Sequence, residues 1–165
     1  MRHPLRLSDD VWTGCQAVFL TLCTLNRQRH FRTLRKVEIV REIFFECCDE
    51  FAFEIPAYCF MPDHFHALIS GYCENGHARR LVRVFKQRSA YHFRRASGQQ
   101  LWQRSYFDRT LRSEDAVLPV CSYIAANPVR AGLVGSAAEY PFWGSQIYTR
   151  TQILESIAAG QCRPV

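Results

Sequence analysis

FEIPAYCFMPDHFHALISGYCENG, residues 53–76, decides the fold of this chain. Two strand-like runs flank MPDH, and Pro62 and Asp63 are turn residues between them. The stretch therefore predicts an antiparallel hairpin, ended by Glu74, Asn75 and Gly76. On its second strand a period of two puts His64 and His66 on one face of the sheet and Phe65 and Ala67 on the other, toward covering helices.

Upstream, QAVFLTLCTLNRQ (residues 16–28) leaves no room for a long helix before the basic turn NRQRHF and reads as a buried strand. LRKVEIVREIFFECCDEF (residues 34–51) spaces Val37, Ile39, Val40, Ile43, Phe44, Cys47 and Phe51 as one face of an amphipathic helix. Downstream, Ala78 to Arg95 predicts a second helix, with Leu81, Val84, Phe85 and Tyr91 as its apolar stripe and seven Lys or Arg elsewhere. LWQRSYFDRTLRS holds a short fourth strand around Tyr106 to Leu111. SEDAVLPVCSYIAAN predicts a third helix, with Ser113 as N-cap and Glu114 and Asp115 in the first turn. Pro119 implies that this helix either kinks there or starts near Leu118, and Pro128 is expected to end it.

The order β-α-β-β-α-β gives an α+β, ferredoxin-like split arrangement. Its antiparallel sheet has helices on one face, and the other face is left free for a site, with the third helix near it. The sequence carries 21 Lys+Arg against 15 Asp+Glu, a net charge of +6 and a pI near 9.0, which favours a polyanionic partner. Charge alone does not separate DNA, RNA and anionic membrane. Eight cysteines show no CxxC spacing and several sit in apolar runs, so buried free thiols are expected. With neither a signal-peptide stretch nor a membrane-spanning apolar run, a soluble cytoplasmic protein is expected.

His64 and His66 form a chelating pair. Two imidazoles leave positions open for phosphate oxygens on Mg²⁺ or Mn²⁺, as metal-assisted phosphoryl chemistry needs; imidazole suits Mn²⁺ better, and the choice stays open. The same spacing also occurs in zinc enzymes and ordinary sheets. Tyr123 and Asn127, four apart on the third helix, share a face and offer a nucleophile and a hard oxygen ligand. A phenol with a pKa of about 10 needs a nearby cation or base before it attacks phosphorus.

CFMPDHFHALISG, followed by LWQRSYFDRTLR and then YIAANPVRAGLV, resembles the REP-associated tyrosine transposases of the HUH single-tyrosine superfamily, and FLTLCTLNRQRHF near the start shares in the likeness. The resemblance implies a nuclease in which His64, His66 and Asn127 bind the metal and Tyr123 is the nucleophile. Neither Tyr91 nor Tyr106 has an Asn or Gln four residues later. It further implies single-stranded DNA as substrate, carrying a REP-type hairpin, and a 5′-phosphotyrosine intermediate. Arg79, Arg80, Arg83, Lys86, Arg88, Arg104, Arg109 and Arg130 are then candidates for its phosphates, with Trp102 and Tyr106 for stacking on unpaired bases. A non-catalytic hairpin-binding protein and a water-using metal hydrolase acting on RNA are the alternatives. A monomer is favoured over the dimer of related insertion-sequence transposases. Residues 1–134 form the expected domain, and 135–165 an irregular tail that packs on it or contacts DNA.

Overall fold

The computed structural model describes residues 16–72, 77–111 and 117–162. β1 (Ala17–Cys23), α1 (Leu34–Glu50), β2 (Phe53–Met61), β3 (His64–Gly71), α2 (Ala78–Ser97) and β4 (Phe107–Thr110) appear in the expected order; α3 (Val117–Arg130), β5 (Trp143–Gly144) and α4 (Arg150–Ala158) follow. The strands form one antiparallel sheet, ordered β4-β1-β3-β2-β5.

Register sorts the side chains. Residues directly opposite each other share a face. Thr21 faces His66 and Phe107, Phe19 faces Leu68 and Arg109, and Cys23 faces His64. The alternate set, including Leu20, Leu22, Phe65 and Ala67, packs under α1 and α2 with Phe44 and Phe85. That layer is the expected one.

The second face is not free. Val120, Cys121, Ile124 and Ala125 of α3 and Ile153 of α4 bury Phe19, Ala57, Cys59, Met61 and Leu68. With α1 and α2 filling the first face, the apolar stripe of α3 has to cover the other. Beside His66 on this face, the Phe19 ring meets Tyr123 of α3.

Neither proline breaks α3. Pro119 is its third residue, in the first turn, where a backbone N–H has no helical acceptor. Ser113, Glu114 and Asp115 lie outside the described residues. The helix continues through Pro128 to Arg130 instead of stopping. Pro128 lacks the N–H that would reach Ile124 O, and Asn127 supplies a replacement: its Nδ2 donates to Ile124 O at 3.3 Å and to Tyr123 O at 3.1 Å. Gly132, at φ 67°, turns the chain out of the helix, as a residue without Cβ does readily.

Residues 136–162, part of the stretch read as an irregular tail, carry β5, α4 and a short helical turn at Ala137–Glu139. Two capping boxes organise them, Ser136 with Glu139 and Thr149 with Gln152. Trp143 of β5 pairs with Cys59, and the Tyr140 hydroxyl donates to Phe60 O at 2.7 Å. The described cysteines, Cys23, Cys47, Cys48, Cys59, Cys121 and Cys162, are free thiols. Among the described residues no helix is long and apolar enough to cross a membrane.

Candidate functional site

The β2–β3 turn aims two imidazoles at one point. His64 Nε2 and His66 Nε2 stand 3.1 Å apart, with their rings nearly perpendicular at 83°. Their outer nitrogens are engaged: His64 Nδ1 lies 2.6 Å from Asp63 Oδ1, and His66 Nδ1 lies 2.8 Å from Thr21 Oγ1. A carboxylate only accepts, so His64 carries its proton on Nδ1 and keeps a lone pair on Nε2. The Thr21 hydroxyl can accept from His66 Nδ1 in the same way, and in that tautomer two lone pairs converge, as a metal ligand pair needs. Burial lowers the pKa of both imidazoles. For His66 it falls to about 3, pushed also by His64, Arg130 and Arg27; for His64, Asp63 partly opposes the effect. Both are neutral donors at neutral pH.

α3 brings the rest. The Phe19 ring stacks on His66 at 5.4 Å and meets Tyr123 edge-on at 6.5 Å, so one aromatic spaces the tyrosine from the pair. The Arg130 guanidinium lies 3.8 Å above the Tyr123 ring and donates to Asn127 Oδ1 at 2.8 Å. The structure thus links His66 to Tyr123 through Phe19, and Tyr123 to Asn127 through Arg130.

Among the described residues no three His, Cys, Asp or Glu cluster to hold a metal. The Asn127 amide oxygen, tied to Arg130 on the helix that carries Tyr123, is the candidate for a third protein ligand. Two neutral nitrogens plus one amide oxygen, with positions left for phosphate, fit Mn²⁺ or Mg²⁺.

The other candidates are scattered. Arg80, whose guanidinium lies 5.7 Å from the Phe51 ring, and Arg83 are exposed on α2, Arg79 is half-buried, and Arg88 pairs with Glu50 at 2.6 Å. α2 packs on the opposite face from the His pair, and Arg79 to Arg83 lie toward the end where β3 finishes. Lys86 donates to the carbonyls of Gln103 and Arg104 at 2.9 and 2.8 Å, holding the α2–β4 loop, and lies 5.5 Å from the Tyr106 ring. Trp102 packs on Phe31 and Phe85, and its indole N–H donates to Ser89 Oγ at 2.9 Å, which places it in the core. Arg104 and Arg109 are exposed, and Arg109 stands opposite Phe19 on the His-bearing face.

A basic loop absent from the sequence-derived set lies against the His turn. Thr24 N and Oγ1 donate to Asp63 O at 3.0 and 2.9 Å, and Phe31 N donates to Pro62 O at 3.0 Å. Arg27 reaches Asp63 Oδ2 at 3.4 Å and Cys23 Sγ at 3.0 Å from the left-handed pair Asn26 (φ 52°) and Arg27 (φ 56°). Arg29, Arg32, Arg35 and Lys36 follow. Lys36 bonds Gln99 at 3.3 Å beyond the end of α2, bordering a groove lined by Thr33, Arg35, Ile39, Phe93 and Ser97. The signal was legible: residues 24–37 and 77–107 contain no Asp or Glu.

The family described as Transposase IS200 like matches residues 15–127, a span that takes in His64, His66, Tyr123 and Asn127. A Haemophilus influenzae protein described as a REP-associated tyrosine transposase is 26% identical over 140 residues, covering 75% of this chain and 76% of its own. A solved REP-associated tyrosine transposase bound to a REP hairpin superposes with a TM-score of 0.72 at 21% identity, covering 99% of this chain and 89% of that one. A candidate transposase from Deinococcus radiodurans superposes at 0.53 and 20% identity, covering 75% of this chain and 95% of its own. These two structures establish the likeness of fold.

Proposed function

The chain belongs to the IS200-like transposase family, and from that premise we propose that it is a metal-dependent single-stranded DNA nickase and strand transferase acting on REP-type hairpins. The observation that carries this reading is the convergence of the His64 and His66 Nε2 atoms at 3.1 Å, with the Phe19 ring packed between His66 and Tyr123. A hairpin-binding module needs none of these residues.

In this reading His64, His66 and Asn127 hold the divalent ion. When bound, it neutralises charge on the scissile phosphate and lowers the barrier to attack. Asp63 and Thr21 keep the two Nε2 lone pairs aimed. The Tyr123 oxygen attacks phosphorus and gives up its proton as the P–O3′ bond breaks; the departing 3′-oxygen takes a proton. A 5′-phosphotyrosine and a free 3′-hydroxyl result. Attack by a 3′-hydroxyl on the phosphotyrosine reverses the exchange and reseals a strand. One phosphodiester replaces another, so no nucleotide cofactor is consumed. The exposed arginines around the His turn bring the strand in by counterion release.

Incubating the protein with labelled single-stranded hairpins and Mn²⁺ tests the proposal. A covalent adduct is expected, and in Tyr123→Phe its loss by at least about a thousandfold, since removal of a nucleophile leaves only residual catalysis. Adduct in Tyr123→Phe would remove the nucleophile assignment. Hairpin binding without cleavage under any metal would favour the non-catalytic alternative, and free product without adduct would favour hydrolysis by water.

A further inference from the structure

The Asn127 oxygen that this reading assigns to the metal is already occupied by a cation of the chain itself. Arg130 donates to it at 2.8 Å, and the same guanidinium covers the Tyr123 ring at 3.8 Å. Asn127 cannot turn away to avoid the choice. Its Nδ2 is spent on Tyr123 O and Ile124 O, the latter bond standing in for the missing N–H of Pro128, so Oδ1 is fixed in direction. Arg130, by contrast, is exposed and forms no ion pair among the described residues, so its long side chain is free to change partner. Its charge also lies close enough to His66 to act on that ring.

We propose that Arg130 is a positioning residue that competes with the divalent metal for Asn127 Oδ1: it holds the metal-free site closed over Tyr123, and metal and strand together move it from the amide oxygen to a phosphate. The inference rests on the metal-binding reading above. A guanidinium and a divalent ion sharing one amide oxygen are like charges a few ångströms apart, and that repulsion makes the two occupants exclusive. A phosphate gives the released guanidinium a better partner, because an arginine fork matches phosphate oxygens in two parallel bonds. Metal and strand would then bind cooperatively, each favouring the arrangement in which Arg130 has left Asn127. Departure of the guanidinium also uncovers the face of the nucleophilic ring.

The test is direct Mn²⁺ titration, by calorimetry or by the loss of free-ion electron paramagnetic resonance signal, on wild type, Arg130→Ala, Arg130→Lys and His66→Ala. Arg130→Ala should bind Mn²⁺ roughly tenfold more tightly than wild type, within the range of about 5- to 150-fold typical of coupled sites. The same variant should bind single-stranded DNA more weakly. Arg130→Lys should fall between the two in metal affinity, since an ammonium keeps the charge but not the fork. Opposite signs for metal and strand separate competition from structural damage, which would weaken both. Unchanged or weaker Mn²⁺ binding in Arg130→Ala overturns the proposal. If His66→Ala binds Mn²⁺ as wild type does, the metal-binding reading itself falls, and this inference with it.

Discussion

The two ends of the sheet hold the same basic side chains in different company. Where β3 finishes, α1 brings Glu42, Glu46, Asp49 and Glu50, and Arg88 is tied to Glu50. Where β3 begins, Arg29, Arg32, Arg94, Arg95 and Arg104 sit on segments that contain no acid, Arg35 and Lys36 open α1 ahead of Glu38, which lies 3.9 Å from Arg41, and Asp63 in the hairpin turn is held by His64 and Arg27. Neutralised arginines join helices; those without carboxylates leave a positive field that a polyanion can discharge. For the single strand proposed above, the placement of the acids, more than the number of bases, favours the end with the histidine pair.

Charge reversal at each end probes the contrast most strongly. Arg35→Glu with Lys36→Glu should weaken hairpin binding about tenfold or more and reduce the slope of log affinity against log salt by about two. Arg83→Glu, on the part of α2 nearer the other end, should change affinity by less than about twofold. Anisotropy titrations at several salt concentrations measure both, and equal losses would erase the distinction.

Acid sharpens the comparison from inside the protein. His30 and His66 are buried near the site, and burial lowers the pKa of each, that of His66 to about 3. The unfolded chain therefore takes up protons that the folded one refuses, and stability falls as pH drops through about 6.5, by at most about 1.4 kcal/mol per pH unit for each group. Thermal melts of metal-free protein between pH 7.5 and 5 should show this loss, and His66→Gln should flatten it. A wild-type melting temperature independent of pH would contradict burial of neutral imidazoles at this end.

The smallest effect concerns the helix that serves the site. Asn127→Ala removes the donor that replaces the Pro128 N–H and should cost about 1 kcal/mol in urea unfolding. Adding Pro128→Ala, which restores a backbone donor to Ile124 O, should recover much of the loss. A strictly additive double mutant would mean that the Asn127 amide does not substitute for the proline.

Much of this architecture is written locally. Alternation in HFHALIS fixes which face His64 and His66 share, and spacing in α1 and α2 fixes what they bury. Which sheet face α3 covers is a long-range outcome: the Val120 and Ile124 stripe says that it must be buried and is silent on where. The ordered segment after Gly135 was missed although SAAE and TRTQ spell capping boxes, because the aromatics there lack a regular period. At the site, chelation by the histidines follows from period two, whereas the roles of Asp63, Thr21 and Phe19 depend on register between strands distant in sequence. Trp102 shows the reverse difficulty, since a ring suited to stacking on a base is equally suited to a core.

Left-handed backbone occurs at three described non-glycine residues, Asn26, Arg27 and Ala52. Glycine adopts such a conformation without the Cβ clash that costs an L-residue about 1–2 kcal/mol, set against its own larger chain entropy. A population evolved for heat tolerance would gain from glycine at Ala52 without touching the histidine end. Asn26 is of a residue type that tolerates this conformation, and it holds the bend that sets Arg27 against Asp63, so lineages that keep the activity should keep this turn while the one at Ala52 relaxes.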